Sequence, residues 1–222
     1  MKRILEPELM EDLAQASAYH YANFSESHGR RVEIFKQCFP GVKLDKKVLD
    51  LGSGSGDVLF RFVRAFPEAG FIGVDGSRAM LDIANSEIEK DADLLRRVTM
   101  HLATIPSPSI PRFPYQLVMS HSLLHHLHDP QVLWDTVRTF TPSGGAIFIA
   151  DLQRPASVEA AEKIVEELSA NEPEVLKRDF FNSLCAAFEP EEIYEQLCKS
   201  GLEHLKIEAV GPIHQVVYGR LG

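Results

Sequence analysis

The sequence lacks three features that would narrow its class at once: an excess of positive charge, a set of closely spaced cysteines and a long apolar run. With 23 Lys and Arg against 32 Asp and Glu in 222 residues, the net charge is −9, and no basic block predicts an extended nucleic-acid surface. The three cysteines, Cys38, Cys185 and Cys198, lie far apart without metal-ligand spacing. Because no membrane span or signal peptide is visible, we expect a cytoplasmic protein without membrane insertion.

The composition is that of an ordinary globular protein, 45% hydrophobic and 25% charged. The length fits one domain, because domains commonly hold roughly 100–200 residues. A chain of this size buries enough surface to fold without disulfides or structural metals.

A buried-strand pattern followed by alternating glycines stands out in the first third of the chain. Residues 47–51 form an apolar run with a single acid, and Gly52, Gly54 and Gly56 follow at every second position. An apolar segment with helical spacing begins after Asp57. The pattern predicts a strand, a tight turn and a helix whose first N–H groups are free. Glycine is needed in such a turn because a Cβ would clash where the backbone approaches a ligand.

The glycine spacing separates two classes of cofactor. Dinucleotide-binding folds use G-x-G-x-x-G, whose third glycine lets the helix pack on the strand. Here Asp57 occupies that position, and an acid at the helix start would repel a pyrophosphate. The segment from Asp50 to Gly56, D-L-G-S-G-S-G, resembles motif I of class I S-adenosylmethionine (SAM)-dependent methyltransferases. That resemblance implies SAM as the cofactor and S-adenosylhomocysteine (SAH) as its product.

An acid also follows the second predicted strand, residues 70–74. Asp75 lies 25 positions after Asp50, near the place where nucleotide-binding folds have a ribose-binding acid. A carboxylate can accept hydrogen bonds from both hydroxyls of the ribose diol. The alternative is that Asp75 caps the following helix. The resemblance implies the ribose role, and it places Met80 beside the adenine.

The third strand, predicted over residues 98–102, is followed by a departure from the family. Many members have a Gly-Asp-Ala-like turn there, whose acid binds the adenine amino group. This chain has Ala103-Thr104-Ile105 instead, so the Thr104 hydroxyl or backbone groups would have to replace that contact. The predicted cofactor contacts are Asp50, Gly52, Ser53, Gly54, Gly56, Asp75, Gly76, Ser77, Met80, Ala103, Thr104, Ile105, Ser120 and His121.

Four histidines lie within eight positions after the fourth predicted strand, residues 115–120. The segment from His121 to Pro130 resembles the family's Leu-His-His stretch with its following Asp-Pro. Ligands of open α/β sheets bind outside the carboxyl ends of the strands where the strand order reverses, which would bring His121 and His125 near the reacting centre. We therefore predict both as catalytic, with a role as base if the acceptor is a hydroxyl or an amine.

A metal site is the competing interpretation of these histidines. His121 and His125 have the i, i+4 spacing that shares one face of a helix. Zinc, however, commonly has three or four protein ligands, and the sequence has no H-E-x-x-H pattern. We therefore predict no metal, and a solvated helix start for His126 and His128.

Contacts with the substrate are expected from two segments in which such enzymes differ. Residues 1–44 are expected to form a helical N-terminal lid that includes a helix across Pro7–Ala18. Residues 155–190 are expected to form a helical insertion within a methyltransferase domain over residues 45–222. The predicted substrate contacts are Tyr19, Tyr21, Phe24, Arg154, Phe181 and Asn182. Arg154 has an equal alternative as the partner of Asp151 in a buried ion pair.

The order of elements and the resemblance together imply an α/β fold. We expect a seven-stranded, mostly parallel sheet in the order 3-2-1-4-5-7-6, with the last strand antiparallel and helices on both faces. The implied function is transfer of a methyl group from SAM to a small-molecule acceptor with an O, N, S or C nucleophile. The alternatives are a non-catalytic SAM-binding protein of regulation or assembly and an NAD-type oxidoreductase, which Asp57 disfavours.

Overall fold

The computed structural model describes residues 1–9, 11–12, 16–17, 20 and 25–222, apart from the side chains of residues 25–28. Within that part of the chain, seven strands form one sheet in the order β3-β2-β1-β4-β5-β7-β6, which confirms the predicted order. The strands are Lys47–Leu51 (β1), Gly70–Asp75 (β2), Val98–Leu102 (β3), Leu117–His121 (β4), Ala146–Leu152 (β5), Lys206–Ala209 (β6) and His214–Arg220 (β7).

The directions of the strands create a crevice at one edge of the sheet. Strands β1 to β5 are all parallel, whereas β7 is antiparallel to both β5 and β6. β1 and β4 are neighbours in the sheet although β2 and β3 lie between them in sequence. The strand order therefore reverses between β1 and β4, and a parallel sheet opens a ligand crevice outside the carboxyl ends of strands at such a point.

Helices cover both faces of the sheet. The α-helices in the described residues are Ser25–Cys38 (α1), Asp57–Ala65 (α2), Arg78–Glu89 (α3), Ala92–Arg97 (α4), Gln131–Phe140 (α5), Val158–Leu168 (α6), Glu174–Ala186 (α7) and Pro190–Ser200 (α8), and Leu124–His126 is a 3₁₀ turn. One apolar core joins α1, α2 and α3 to the first face, and a second joins α5 and α8 to the opposite face. A smaller cluster joins α6 and α7 beside the end of β5.

Strand residues alternate between the two cores, as the pleat requires. On β1, Val48 lies in the first core and Leu49 in the second, and both are fully buried. The first core is rich in aromatic rings, and the fully buried Phe35 lies at its centre. Its ring centroid is 5.3 Å from those of Phe62 on α2 and Phe148 on β5, so α1 is fastened to the sheet through edge-on and tilted ring contacts.

The predicted helix across Pro7–Ala18 is wrong over its described first part. Residues 1–9, which we call the N-terminal strap, and residues 11–12 are not helical, whereas residues 16–17 and 20 are. The strap bonds to distant segments: the Met1 amine donates to the carbonyl of Ala156 at 2.9 Å, and the Ile4 amide to that of Cys185 at 3.0 Å. Within the predicted helix itself, Glu8 Oε1 accepts from the His128 amide at 2.8 Å, so the extended strap continues into this range.

The four strands that were predicted with bounds agree with the structure to within two residues at their ends, but one helix was omitted. Helix α4 was not predicted, because it is a single short turn and a half between α3 and β3. Gly201 ends α8 in the left-handed conformation, at φ +66°, as the sequence indicated. Of the helices in the described ranges, none combines the length and apolarity that a membrane crossing requires.

Candidate functional site

The turn after β1 contains three glycines in left-handed conformations, with φ of +72° at Gly52, +54° at Gly54 and +88° at Gly56. Two of them are required by packing. A Cβ on Gly52 would lie 2.9 Å from the Leu123 side chain, and one on Gly56 would lie 2.4 Å from the ring of Phe60. A Cβ on Gly54 would meet no atom of the described residues within 4 Å. Gly54 therefore faces open space in the crevice.

Asp75, at the end of β2, is bonded directly to this turn. Its Oδ2 accepts a hydrogen bond from the Gly54 amide at 2.8 Å, and its Oδ1 accepts one from the Ser77 amide at 2.8 Å. Ser77, not Asp75, is the cap of α3, since the Ser77 hydroxyl accepts from the Met80 amide. Burial raises the pKa of Asp75, and the two amide donors oppose that rise.

Two polar atoms are buried beneath the turn. The Oδ1 of Asp50 and the Oγ of Ser53 have no hydrogen-bond partner among the described residues. Burial raises the pKa of Asp50 well above its usual value, and the neighbouring charge of Asp75 raises it further. Since buried polar groups are nearly always hydrogen-bonded, these two atoms have the character of a binding site for a donor group.

Among the predicted adenine contacts, Gly76 and Thr104 lie close to each other beside Asp75. A Cβ on Gly76 would lie 3.1 Å from the Thr104 methyl and 2.7 Å from the Leu9 side chain, so the strap also reaches this position. The Ala103 amide donates to the Asp75 carbonyl at 2.9 Å. Met80 is buried beside α3's Ala79, whereas Ile105 is partly buried against the second core.

The two residues at the end of β4 are both buried, but they face different surroundings. The Ser120 hydroxyl donates to the Leu51 carbonyl at 2.7 Å and so joins β4 to β1 in the crevice. The ring of His121 lies in the first core, 5.6 Å from the ring of Phe62 and 5.8 Å from that of Phe148. The two roles predicted for His121, as a catalytic residue and as a cofactor contact, stay predictions.

His125 is held in one orientation by Asp151, at the end of β5. The two side chains are buried, and His125 Nδ1 lies 2.6 Å from Asp151 Oδ1. Asp151 Oδ2 in turn accepts from the Leu124 amide at 2.8 Å. Burial opposes the ionisation of Asp151, but His125 keeps the pKa of this carboxyl below its usual value. The neutral ring therefore places its proton on Nδ1, toward Asp151, and leaves Nε2 available on its other side.

The proposed alternative of an Asp151–Arg154 ion pair is wrong, because each residue has a different partner. The buried Arg154 guanidinium lies 3.0 Å from Glu192 and 3.1 Å from Glu189, and it also donates to the Ala187 carbonyl. These contacts join the end of β5 to the start of α8. Arg154 as a substrate contact stays a prediction.

Glu6 belongs to the same site, although the sequence analysis did not select it. Its Oε1 lies 3.6 Å from His125 Nε2 and 3.2 Å from His126 Nδ1, and its Oε2 accepts from the Ser183 hydroxyl at 3.2 Å. The prediction of a solvated helix start for His126 is wrong, because a 3₁₀ turn places its ring against Glu6. His128 is half-exposed, as predicted.

The predicted substrate residues fall into two groups. Tyr19, Tyr21 and Phe24 lie outside the described residues. Phe181 and Asn182 lie on α7 and are partly buried, with Phe181 packed against the cluster between α6 and α7. A described neighbour of the first group, His20, has its Nδ1 3.0 Å from the Ser55 hydroxyl, so this part of the N-terminal region reaches the glycine turn.

The comparison with known families decides what kind of protein this site belongs to. A family described as "Methyltransferase domain" matches residues 43–201. The chain belongs to that methyltransferase family. This membership confirms the methyltransferase family that the sequence resembles, and the strand order is the one expected for its class I fold.

Three individual methyltransferases are similar to this chain in sequence or in structure. An uncharacterized methyltransferase of Schizosaccharomyces pombe is 29% identical over 110 residues, which span 48% of this chain and 40% of that protein. A SAM-dependent methyltransferase from Aquifex aeolicus has a TM-score of 0.68 at 14% identity, covering 94% of this chain and 98% of its own. A phosphoethanolamine N-methyltransferase of Haemonchus contortus has a TM-score of 0.66 at 21% identity, covering 88% and 43%. The two structures share the fold of this methyltransferase.

Proposed function

We propose that this chain transfers the methyl group of SAM to a small-molecule acceptor by direct in-line displacement. The observation that carries the proposal is the bond between Gly54 and Asp75 at the reversal of strand order, with a buried, partnerless Asp50 oxygen beneath it. Structures with this fold have been solved with SAH and phosphomonomethylethanolamine and with SAH and a plantazolicin analogue, which supports SAH as the product here.

The residues of the turn fit the parts of SAM. An ionised carboxylate has about four acceptor positions, so Asp75 can accept the ribose hydroxyls in addition to the amides of Gly54 and Ser77. Asp50 Oδ1 and Ser53 Oγ supply acceptors for the ammonium group at the amino acid end. Gly76, Met80 and the segment 103–105 would line the adenine, with Thr104 in place of the family's usual acid.

The acceptor is expected at the ends of β4 and β5. There His125 is fixed by Asp151. The side chains that would surround an acceptor come from the strap and α7, where Glu6 and Ser183 contact each other. Transfer forms a bond from the nucleophile to the methyl carbon and breaks the carbon–sulfur bond, whose electrons remain on sulfur. A hydroxyl or amine acceptor must also lose a proton, and His125 is the residue we assign to that proton. Positioning alone can contribute about 7–11 kcal/mol in favourable cases.

The remaining assignments stay predictions that accompany this function. They are the substrate contacts Tyr19, Tyr21, Phe24, Arg154, Phe181 and Asn182, the division into a lid over residues 1–44 and a domain over 45–222, and a cytoplasmic location. We also propose that the partner is a small molecule rather than a nucleic acid.

Two measurements test the proposal against its alternatives. Thermal unfolding with SAM, SAH and NAD separates cofactor classes: we expect SAM and SAH to raise the melting temperature and NAD to leave it unchanged, and the reverse would indicate an oxidoreductase. Incubation with methyl-labelled SAM and fractionated metabolite extract then separates an enzyme from a silent binder. Tight SAM binding with no labelled product in any fraction would favour the non-catalytic alternative.

A further inference from the structure

Three side chains with metal-binding atoms converge beside the carboxyl end of β5. Glu6 comes from the N-terminal strap, and His125 and His126 come from the 3₁₀ turn after β4. One ligand atom of each lies within 4.8 Å of the other two. Glu6 Oε1 is the common member, 3.6 Å from His125 Nε2 and 3.2 Å from His126 Nδ1.

These separations match the edges of a small coordination sphere. Zinc binds imidazole nitrogen and carboxylate oxygen at about 2.0–2.2 Å, which puts neighbouring ligands of a tetrahedral site about 3.3–3.6 Å apart. The Glu6–His125 distance lies at the upper end of that range, and the Glu6–His126 distance lies just below it. The third edge, between the two histidine nitrogens, is at most 4.8 Å, so coordination would require the two rings to close by about 1 Å at most.

A supporting layer of hydrogen bonds surrounds the three ligands. Asp151 Oδ1 lies 2.6 Å from His125 Nδ1, which leaves Nε2 for coordination, and the Ser183 hydroxyl donates to the other oxygen of Glu6 at 3.2 Å. A carboxylate on the second nitrogen of a ligating histidine is the usual support of protein metal sites, because it fixes the tautomer and raises the ligand's basicity.

The cluster also has an excess of buried acceptors. Glu6 Oε1 and His126 Nδ1 are buried and 3.2 Å apart, but neither makes a hydrogen bond of acceptable geometry to a described residue. The glutamate oxygen accepts only, and a neutral histidine offers a lone pair at one ring nitrogen. Buried groups without partners commonly indicate an ion or a water molecule at the site, and converging acceptors favour a cation.

We propose that Glu6, His125 and His126 bind a divalent transition-metal ion of the zinc type, with a coordination position open to the methyl acceptor. Two neutral histidines and one carboxylate form a ligand set that suits zinc and related ions. The use of this site rests on the proposed function: an acceptor hydroxyl or thiol bound there would be more acidic, and His125 would serve as a ligand instead of a base. Binding of the ion does not depend on that use.

The test uses the full-length chain without a tag, because the Met1 amine is bonded to Ala156 and a histidine tag would itself bind metal. The chain is stripped with a chelator, dialysed and titrated with cobalt(II), a spectroscopic substitute for zinc, and zinc is then added in competition. We expect one equivalent of cobalt with visible d–d absorption, displaced by one equivalent of zinc. Glu6→Gln and His126→Gln should each weaken binding at least about tenfold, and Asp151→Asn should weaken it about 10–100-fold.

His204→Gln is the control, because this exposed histidine bonds to the Arg220 carbonyl and contacts none of the three proposed ligands. We expect it to bind cobalt as the wild type does. Failure of the wild type to bind either ion, or unchanged cobalt affinity in Glu6→Gln, would overturn the proposal. Glu6, His125 and His126 would then be hydrogen-bonded to one another through a shared proton. SAH binding is measured on the same samples: a chain that binds SAH but no metal overturns only this site, and one that binds metal but no SAH overturns the proposed function instead.

Discussion

The Gly54 amide and the Asp75 carboxylate are joined by a 2.8 Å hydrogen bond that fastens the glycine turn after β1 to the end of β2. The same bond fixes the Asp75 carboxylate beside the turn, where we predict that the ribose of SAM binds. Cofactor affinity should therefore depend on Asp75 more than on any residue at the acceptor end.

We expect Asp75→Ala to weaken SAM binding about 10–100-fold, because a hydrogen bond to a charged group contributes about 1.5–3 kcal/mol. Isothermal titration calorimetry with SAM and SAH measures the change. His125→Ala should bind SAM more tightly than Asp75→Ala does, and the exposed Asp82→Ala on α3 should behave as the wild type. Equal affinities for the Asp75→Ala variant and the wild type would contradict the ribose assignment.

The affinity for SAM should also fall when the pH is lowered. The fall should begin at a higher pH than it would if the ribose were held by an aspartate with an ordinary pKa. Burial raises the pKa of Asp75 above its usual value of about 3.9, and only the ionised form accepts both ribose hydroxyls. The pKa of Asp50 is raised in the same direction, so the two carboxyls titrate as a pair. The free energy of unfolding should change in the opposite direction and rise as the pH falls, because a carboxyl whose pKa is raised in the folded chain binds its proton more tightly there than in the unfolded chain.

Calorimetric titration of SAH across the acid range checks this dependence, since SAH offers the same ribose and amino acid groups. In Asp75→Asn, the pH at which SAH affinity falls should change, because only the titration of Asp50 would then contribute to the curve. A pH profile that is identical in the variant and the wild type would exclude Asp75 as the titrating group.

The open space beside Gly54 gives a second test of where the cofactor lies. Gly54→Ala should cost about 1–2 kcal/mol of stability for a left-handed alanine and should also remove most SAM binding, because the added Cβ projects into the crevice. Gly144→Ala is the matched control: Gly144 has φ +76° and equally open surroundings, but it lies in the turn before β5. Urea unfolding should find similar losses in both variants, whereas only Gly54→Ala should lose affinity. Normal SAM binding by Gly54→Ala would place the cofactor elsewhere.

The cofactor half of the site could be predicted because its determinants are local. Gly52, Gly54 and Gly56 lie within five residues after β1, and Asp75 ends β2, so their spacing along the chain sets their place at the carboxyl edge of the sheet. The strand order followed from the same pattern together with the family resemblance. The contact of Asp75 with Gly54 adds a detail, the bond between two turns, that no spacing could indicate.

The acceptor half could not be predicted, because its contacts join residues far apart in sequence. Glu6 reaches His125 only through the path of the strap, which Arg3 holds by donating to the carbonyls of Ala186, His125 and Leu127. None of these bonds leaves a periodic pattern in the sequence. Asp151 entered the sequence analysis only as a possible partner of Arg154, and its contact with His125 instead depends on packing at the end of β5.

Arg97, on the helix that the sequence analysis omitted, should be the residue of α4 on which stability depends. Its buried guanidinium donates to the carbonyls of Val63 and Phe66 at the end of α2 and to that of Ala69 before β2, and it also pairs with Asp93. Arg97→Ala would leave these carbonyls buried without donors, so we expect the free energy of unfolding to fall by about 2–4 kcal/mol.

The neighbouring Arg96 provides the comparison that isolates this effect. It pairs with the same Asp93, but its side chain is 73% exposed, and surface ion pairs contribute little. Urea unfolding of Arg96→Ala should therefore give the midpoint of the wild type, whereas that of Arg97→Ala should be clearly lower. Because Arg97 contacts the end of α2 and the residue before β2, at the amino ends of the strands and opposite the crevice, its variant should retain SAM binding at temperatures where it is folded. Equal midpoints for the two variants would mean that the carbonyls find other donors and that Arg97 does not hold α4 to the end of α2.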